Sequence, residues 1–242
     1  MDLHRCLLTE NDCYRAARPL RPQGIMVHST GAANPELRRY VQPDDGLLGK
    51  NPNGNDWNRP RPDGRAVCVH AFIGRNRYGY VATYQTLPWT VCGWHAGGAA
   101  NQTHIGFEIC EDDLTDPAYF QAVYREAAEL TAALCRRFGL DPLRQVICHS
   151  EGAAQGIASA HSDVTHWFPR HGKTMDDFRQ EVKRIMTAKD NTPDGYAVAA
   201  VDWARRNGVM NGDERGDLKL HATLTRQDFL VMLLRFQQLA GR

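Results

Sequence analysis

An α/β fold around a central sheet is predicted for residues 1–187 by three observations. Short apolar runs, such as Ile25-Met26-Val27 and Gln145-Val146-Ile147-Cys148, have the length of buried strands. Two longer segments repeat their apolar residues at helical spacing. Strand-like and helix-like segments are mixed along the chain, which calls for helices packed on a sheet.

Ile25 to Val27 reads as a strand that delivers His28 at its end. Residues 41–64 are rich in Pro, Gly, Asn and Asp and read as a long loop, of the kind that often rims a site. Ala66 to Ile73 and Tyr80 to Leu87 read as a strand pair, and Thr103 to Cys110 as a further strand. Asp116 is placed to cap a helix that runs to Phe138, with Pro117 in its first turn and Gly139 as its stop. Gln145 to Cys148 is a strand ending in His149, followed by a loop from Ser150 to Gly172. Thr174 to Met186 is a helix with Met175, Phe178 and Val182 on one face.

Residues 188–195 hold several turn formers and read as a linker. Two short helices follow, over 196–207 and 225–239, in a module spanning 196–242. Thr225 can cap the second, with Asp228 in the capping-box position. So small a module is marginal for folding alone, so docking on the main domain or pairing as a homodimer is expected.

Composition excludes several classes. The formal net charge is +1, so no broad basic field points to nucleic acid. No apolar run is long enough for a membrane span. The start, Met1-Asp2-Leu3-His4-Arg5, lacks the apolar core of a signal peptide, so synthesis in the cytoplasm is expected, with release by other means if the protein acts outside. The seven cysteines include no C-x-x-C pair, and several sit inside apolar runs, which suits small buried side chains rather than a disulfide framework.

Two histidines at strand ends, His28 and His149, suit a metal, because neutral imidazole binds zinc and a rigid strand end fixes its direction. A catalytic zinc takes three protein ligands and keeps one open position, so a third ligand is sought in residues 160–168. Glu108 is a carboxylate between Phe107 and Ile109, where an unpaired charge needs a reason. His70 and His95 are candidates for the substrate groove or for structural roles. Trp57, Trp94 and Trp167 are candidate walls for sugar or peptide, with core packing as the commoner use.

Five stretches in order carry a resemblance. They are Met26-Val27-His28-Ser29-Thr30, Val69-His70-Ala71-Phe72-Ile73-Gly74, Gly93-Trp94-His95-Ala96-Gly97, Asn101 to Ile109, and Ile147-Cys148-His149-Ser150-Glu151-Gly152. Together they resemble the type 2 N-acetylmuramoyl-L-alanine amidases and the peptidoglycan recognition proteins, in wording most like clostridial phage and prophage endolysins. The resemblance implies a central mixed sheet flanked by helices, and zinc-dependent cleavage of the amide between N-acetylmuramic acid and L-alanine in bacterial peptidoglycan. It assigns zinc to His28, His149 and Asp163, with His166 the alternative third ligand. It makes Glu108 the proton carrier. His161 stands two positions before Asp163, where the family usually has Lys, as the second catalytic group. Trp94, His95, His70 and Trp57 are then expected to meet substrate. The competing functions are a recognition protein that binds without cutting and a zinc peptidase acting on the stem peptide.

The C-terminal stretch from Trp203 to Gly212, followed by Leu224-Thr225-Arg226-Gln227-Asp228-Phe229, resembles one S-layer homology motif. That implies contact with secondary cell-wall polysaccharide through Thr225 and Arg226. Asp213 to Asp217 lacks the spacing of an EF-hand loop, so no structural calcium is expected.

Overall fold

The computed structural model describes residues 1–240. The chain separates into two compact units, Met1–Met186 and Thr187–Arg242.

The first unit is built on a six-stranded mixed sheet in the order β1-β4-β3-β5-β2-β6. The strands are β1 (Leu3–Arg5), β2 (Gly24–Ala33), β3 (Ala71–Arg75), β4 (Val81–Gln85), β5 (His104–Glu111) and β6 (Val146–Cys148). All neighbours run parallel except the β3–β4 hairpin, which is antiparallel. The strand expected at Ala66–Ile73 begins only at Ala71. Before it, the chain makes no strand: Cys68 forms an isolated bridge with Trp94, and His70 N–H donates to Gly106 O. The edge strand β1 and the short helix α1 (Asp12–Ala16) carry too little pattern to be seen in the sequence.

Helix α2 (Pro117–Phe138) starts as its cap predicts. The Asp116 carboxylate accepts from Ala118 N–H and Tyr119 N–H, and Gly139 closes the helix at φ 67°. Its buried face carries Phe120, Val123, Ala127 and Leu130 against Ile25, Val27, Ile73, Phe107 and Ile109 of the sheet, joined by Phe178 and Val182 of α5 (Met175–Thr187). Each large side chain in this layer contributes about 1.5–3 kcal/mol of burial. The opposite face of the sheet is covered by the segment after β2: Leu37, in a short 3-10 helix (Leu37–Arg39), and Tyr40, Val41 and Leu48 pack on Phe72 and Tyr84.

The expected strand at Gln145–Cys148 starts one residue late, and the expected loop after His149 begins with a helix. A four-residue α3 (Pro142–Gln145) leads into β6, and α4 (His149–Ala154) starts directly at the histidine. Glu151 explains that start. One carboxylate oxygen accepts from Cys148 N–H, and Arg179 of α5 grips both oxygens at 3.0 Å while also donating to Val146 O.

In the second unit, α6 (Val198–Arg206) and α7 (Arg226–Ala240) bring Trp203 and Phe236 to a ring separation of 6.0 Å. The Thr225 hydroxyl accepts from Asp228 N–H at 3.1 Å, as an N-cap does, and donates to the Asp228 carboxylate at 2.6 Å, which therefore meets the hydroxyl rather than the Thr225 backbone N–H that a capping box would use. The segment expected as a linker is bonded into this unit. Asp190 N–H donates to Asp217 and the Asn191 carboxamide donates to Gly216 O, because short Asp and Asn side chains satisfy nearby backbone groups. Among the described residues, no helix is long and apolar enough to cross a membrane.

Candidate metal centre and active site

Strand register brings the site together. Val27 pairs with Cys148 across β2 and β6, so the next residues, His28 and His149, emerge side by side. His28 itself pairs with Glu108 across β2 and β5. His28 does not end its strand as expected, since β2 continues to Ala33. Regular β2–β5 pairing does stop one residue after His28, with a register shift between Ser29 and Ala33. That break opens a cavity of about 460 Å³ at the carboxyl ends of the parallel strands, the usual ligand position in an open α/β sheet.

Three atoms converge at its floor. His28 Nδ1 and His149 Nδ1 are 3.1 Å apart, and Asp163 Oδ2 lies 3.2 Å from each. A tetrahedral zinc about 2.0–2.2 Å from each ligand would space them by about 3.3 Å or slightly more. Two imidazole nitrogens and one carboxylate oxygen are also a donor set that zinc takes. The residues present therefore fit the ion. His166, the alternative ligand, is not in this group; its Nε2 lies 2.9 Å from Glu111.

Electrostatics at this floor are strongly shifted. Burial lowers the proton affinity of His28, with Asp163 opposing. Burial alone would raise the Asp163 carboxyl, but the adjoining His149 and His28 outweigh it and hold the group below the usual carboxylate range. Glu108 goes the other way. Burial, then repulsion from Asp163 and Glu111, pushes its pKa well above the ordinary value. Its Oε2 is buried with no hydrogen-bond partner among the described residues.

The other candidates divide. His161 is exposed on the cavity wall, its ring 4.7 Å from that of His149. Trp94 and Trp57 line the cavity, and Trp57 Nε1 is a buried donor without a partner among the described residues. His70 does not reach the cavity. It is fully buried, with Nε2 2.9 Å from Val91 O and Nδ1 accepting from Gly106 N–H, and burial lowers its pKa to about 4. Trp167 is likewise core, packed on Tyr119 and Phe120. His95 lines the cavity, yet its ring sits mainly behind His28, with Nδ1 2.9 Å from His28 Nε2. Burial, then His28 and His70, pushes its pKa well down. Asn101 holds it there by accepting from both His95 N–H and Ala96 N–H at 2.8 Å.

Sequence reasoning missed Ser159, whose hydroxyl meets His149 Nε2 at 3.2 Å. The available signal was glycine. A glycine inside a strand marks a close approach, and Gly106 makes room for the His95 ring as Gly97 does for Ser159.

Comparison with known proteins gives a family and a fold. The family described as N-acetylmuramoyl-L-alanine amidase matches residues 18–169. The chain is similar to a Staphylococcus aureus hydrolase, AmiA, solved in complex with its ligand: 19% identity, 76% of this chain and 82% of that chain covered, TM-score 0.52. It is similar to a mutant endolysin from Bacillus subtilis at 20% identity, covering 75% of this chain and 99% of that one, TM-score 0.51. It is also similar to a mutant of PlyL at 18% identity, covering 76% and 99%, TM-score 0.51. Identities this low establish a shared fold. No curated protein matches the sequence.

Proposed function

The chain belongs to the N-acetylmuramoyl-L-alanine amidase family, and from that premise we propose that it hydrolyses the amide between N-acetylmuramic acid and L-alanine in bacterial peptidoglycan, with zinc held by His28, His149 and Asp163. The observation that carries this reading is the triangle of His28 Nδ1, His149 Nδ1 and Asp163 Oδ2, 3.1–3.2 Å on a side, beside the unpartnered Glu108 carboxylate. Bound there, zinc supplies Lewis-acid polarisation of the scissile carbonyl and lowers the pKa of water.

The side chains supply the rest. Glu108 takes a proton from the attacking water and passes it to the departing amine of L-alanine. A carboxyl whose proton affinity is raised by its surroundings suits both halves of that transfer. His161, on the cavity wall, donates an N–H to the oxygen that gains charge as water adds. Trp94 and Trp57 form apolar walls for the substrate, and Trp57 Nε1 offers an unspent donor. In the second unit, Thr225 and Arg226 are exposed at the start of α7, which supports a role for that unit in holding wall polysaccharide.

Mass spectrometry of purified cell wall digested by the metal-loaded chain tests the reaction. New L-alanine amino termini with intact muramic acid are expected. New reducing sugar ends, or cleavage within the stem peptide, would overturn it.

A further inference from the structure

The triangle of ligand atoms raises a question of hydrogen positions. A neutral imidazole carries one N–H. For zinc to bind, that hydrogen must sit on Nε2 of both His28 and His149, leaving the Nδ1 lone pairs facing Asp163. Something must hold each ring in that form.

On the His28 side the chain of contacts ends at a backbone carbonyl. His104 O can only accept, and His95 Nε2 lies 3.2 Å from it. The His95 hydrogen therefore sits on Nε2. Its Nδ1 is left as an acceptor, 2.9 Å from His28 Nε2. His28 must donate there, and its Nδ1 lone pair turns into the site. The His149 side repeats the logic with a hydroxyl. Ser159 Oγ–H donates to Ala96 O at 3.2 Å, so its oxygen accepts from His149 Nε2–H, also at 3.2 Å. His149 Nδ1 is then bare as well.

Both supports sit in places cut to fit them. A Cβ on Gly106 would come within 2.4 Å of the His95 ring, and one on Gly97 within 2.7 Å of Ser159 Oγ. The two supports also share an anchor. Asn101 accepts from the N–H groups of His95 and Ala96, and Ala96 supplies the carbonyl that orients Ser159.

We infer that His95 and Ser159 are positioning residues that fix the tautomers of His28 and His149, so that two side chains outside the ligand set govern how tightly the chain holds zinc. This rests on the zinc reading of the site. Oriented partners of metal-bound histidines are typically worth 10- to 100-fold in metal affinity.

The test has two arms. The full chain, stripped with a chelator and labelled with nitrogen-15 in histidine, is studied by two-bond proton–nitrogen correlation at pH 8. His28, His95 and His149 should each carry their hydrogen on Nε2. In Ser159→Ala, His149 should become a tautomer mixture while His28 stays as it was. A hydrogen on Nδ1 of His28 or His149 in the unmodified chain overturns the inference. In the second arm, competition with a chromophoric chelator measures zinc affinity. His95→Ala and Ser159→Ala should each raise Kd by about 10- to 100-fold. His95→Asn, whose Oδ1 can replace the Nδ1 acceptor, should recover much of the His95 loss. Folded variants, judged by circular dichroism, that bind within twofold of the unmodified chain sink the proposal. Should His95→Ala fail to fold, Ser159→Ala still decides. An unmodified chain that binds no zinc would refute the zinc reading, while the tautomer spectrum would still judge the hydrogen positions.

Discussion

Gly106→Ala places one methyl group where the structure has least room. The added Cβ would lie 2.4 Å from His95 Nδ1 and 2.5 Å from Cγ and Cε1. Non-bonded heavy atoms settle at about 3.5 Å or more, so strand and ring must part by about 1 Å. The strand has little freedom. Gly106 pairs with Met26 across β2, and its carbonyl accepts from His70 N–H at 2.8 Å. The ring must yield, which stretches the 2.9 Å contact with His28 to about 3.9 Å, beyond hydrogen-bond range. Overpacking of this kind costs about 1–3 kcal/mol, or about 2–12 °C in Tm for a unit of this size. Zinc Kd should rise about tenfold as well, through the loosened His28. Calorimetry and chelator competition read the two effects separately. Gly139→Ala is the comparison. Gly139 has φ 67° and open space around its Cβ position, so it should cost about 1–2 kcal/mol of left-handed strain with zinc affinity unchanged. The steric argument fails if Gly106→Ala melts within a degree of the unmodified chain. It fails equally if both variants lose zinc to the same extent, since the loss would then track general destabilisation.

Two further expectations follow from the buried polar groups. Free zinc at a hundredfold over Kd should stabilise the unmodified chain by about 2.7 kcal/mol, and Asp163→Ala should show none of this shift and clear no cell-wall suspension; stabilisation that survives in the variant would put the third ligand elsewhere. The folded His70 is depressed to about 4, below its ordinary 6.5, so the unfolded chain takes the proton first: stability is full above pH 6.5 and drains by about 3 kcal/mol as pH falls to 4. Urea titrations across that range should show a flatter slope in His70→Gln, and parallel curves would refute the assignment.

Much of this was legible in the sequence because it is local. The α2 cap, its apolar face and its glycine stop lie within one segment, and the structure keeps them at Asp116, Phe120 and Gly139. The runs leading to His28 and His149 are legible for the same reason. What escaped depends on pairing between distant residues. β1 is three residues long and exists because β4 lies beside it. The helix at His149 needs Arg179, 28 residues beyond Glu151, to fix its first turn. Trp167 and His70 have the composition of groove residues, and only burial shows that they pack inside. His95 was expected at the substrate groove, and it does line the cavity, but its ring also meets His28, 67 residues earlier, at 2.9 Å.

The pairing of Val27 with Cys148 has a consequence for how this scaffold tolerates change. The gap between His28 and His149 is set by the spacing of adjacent strands, about 4.8 Å, and not by the 121 positions of chain between them. Insertions in the connections could lengthen that chain and leave the two nitrogens where they are. Asp163 is different, because it arrives on the irregular stretch after α4 rather than on a paired strand. A designer lengthening the chain therefore has more freedom at exposed loop positions such as 52–54 than between 149 and 163.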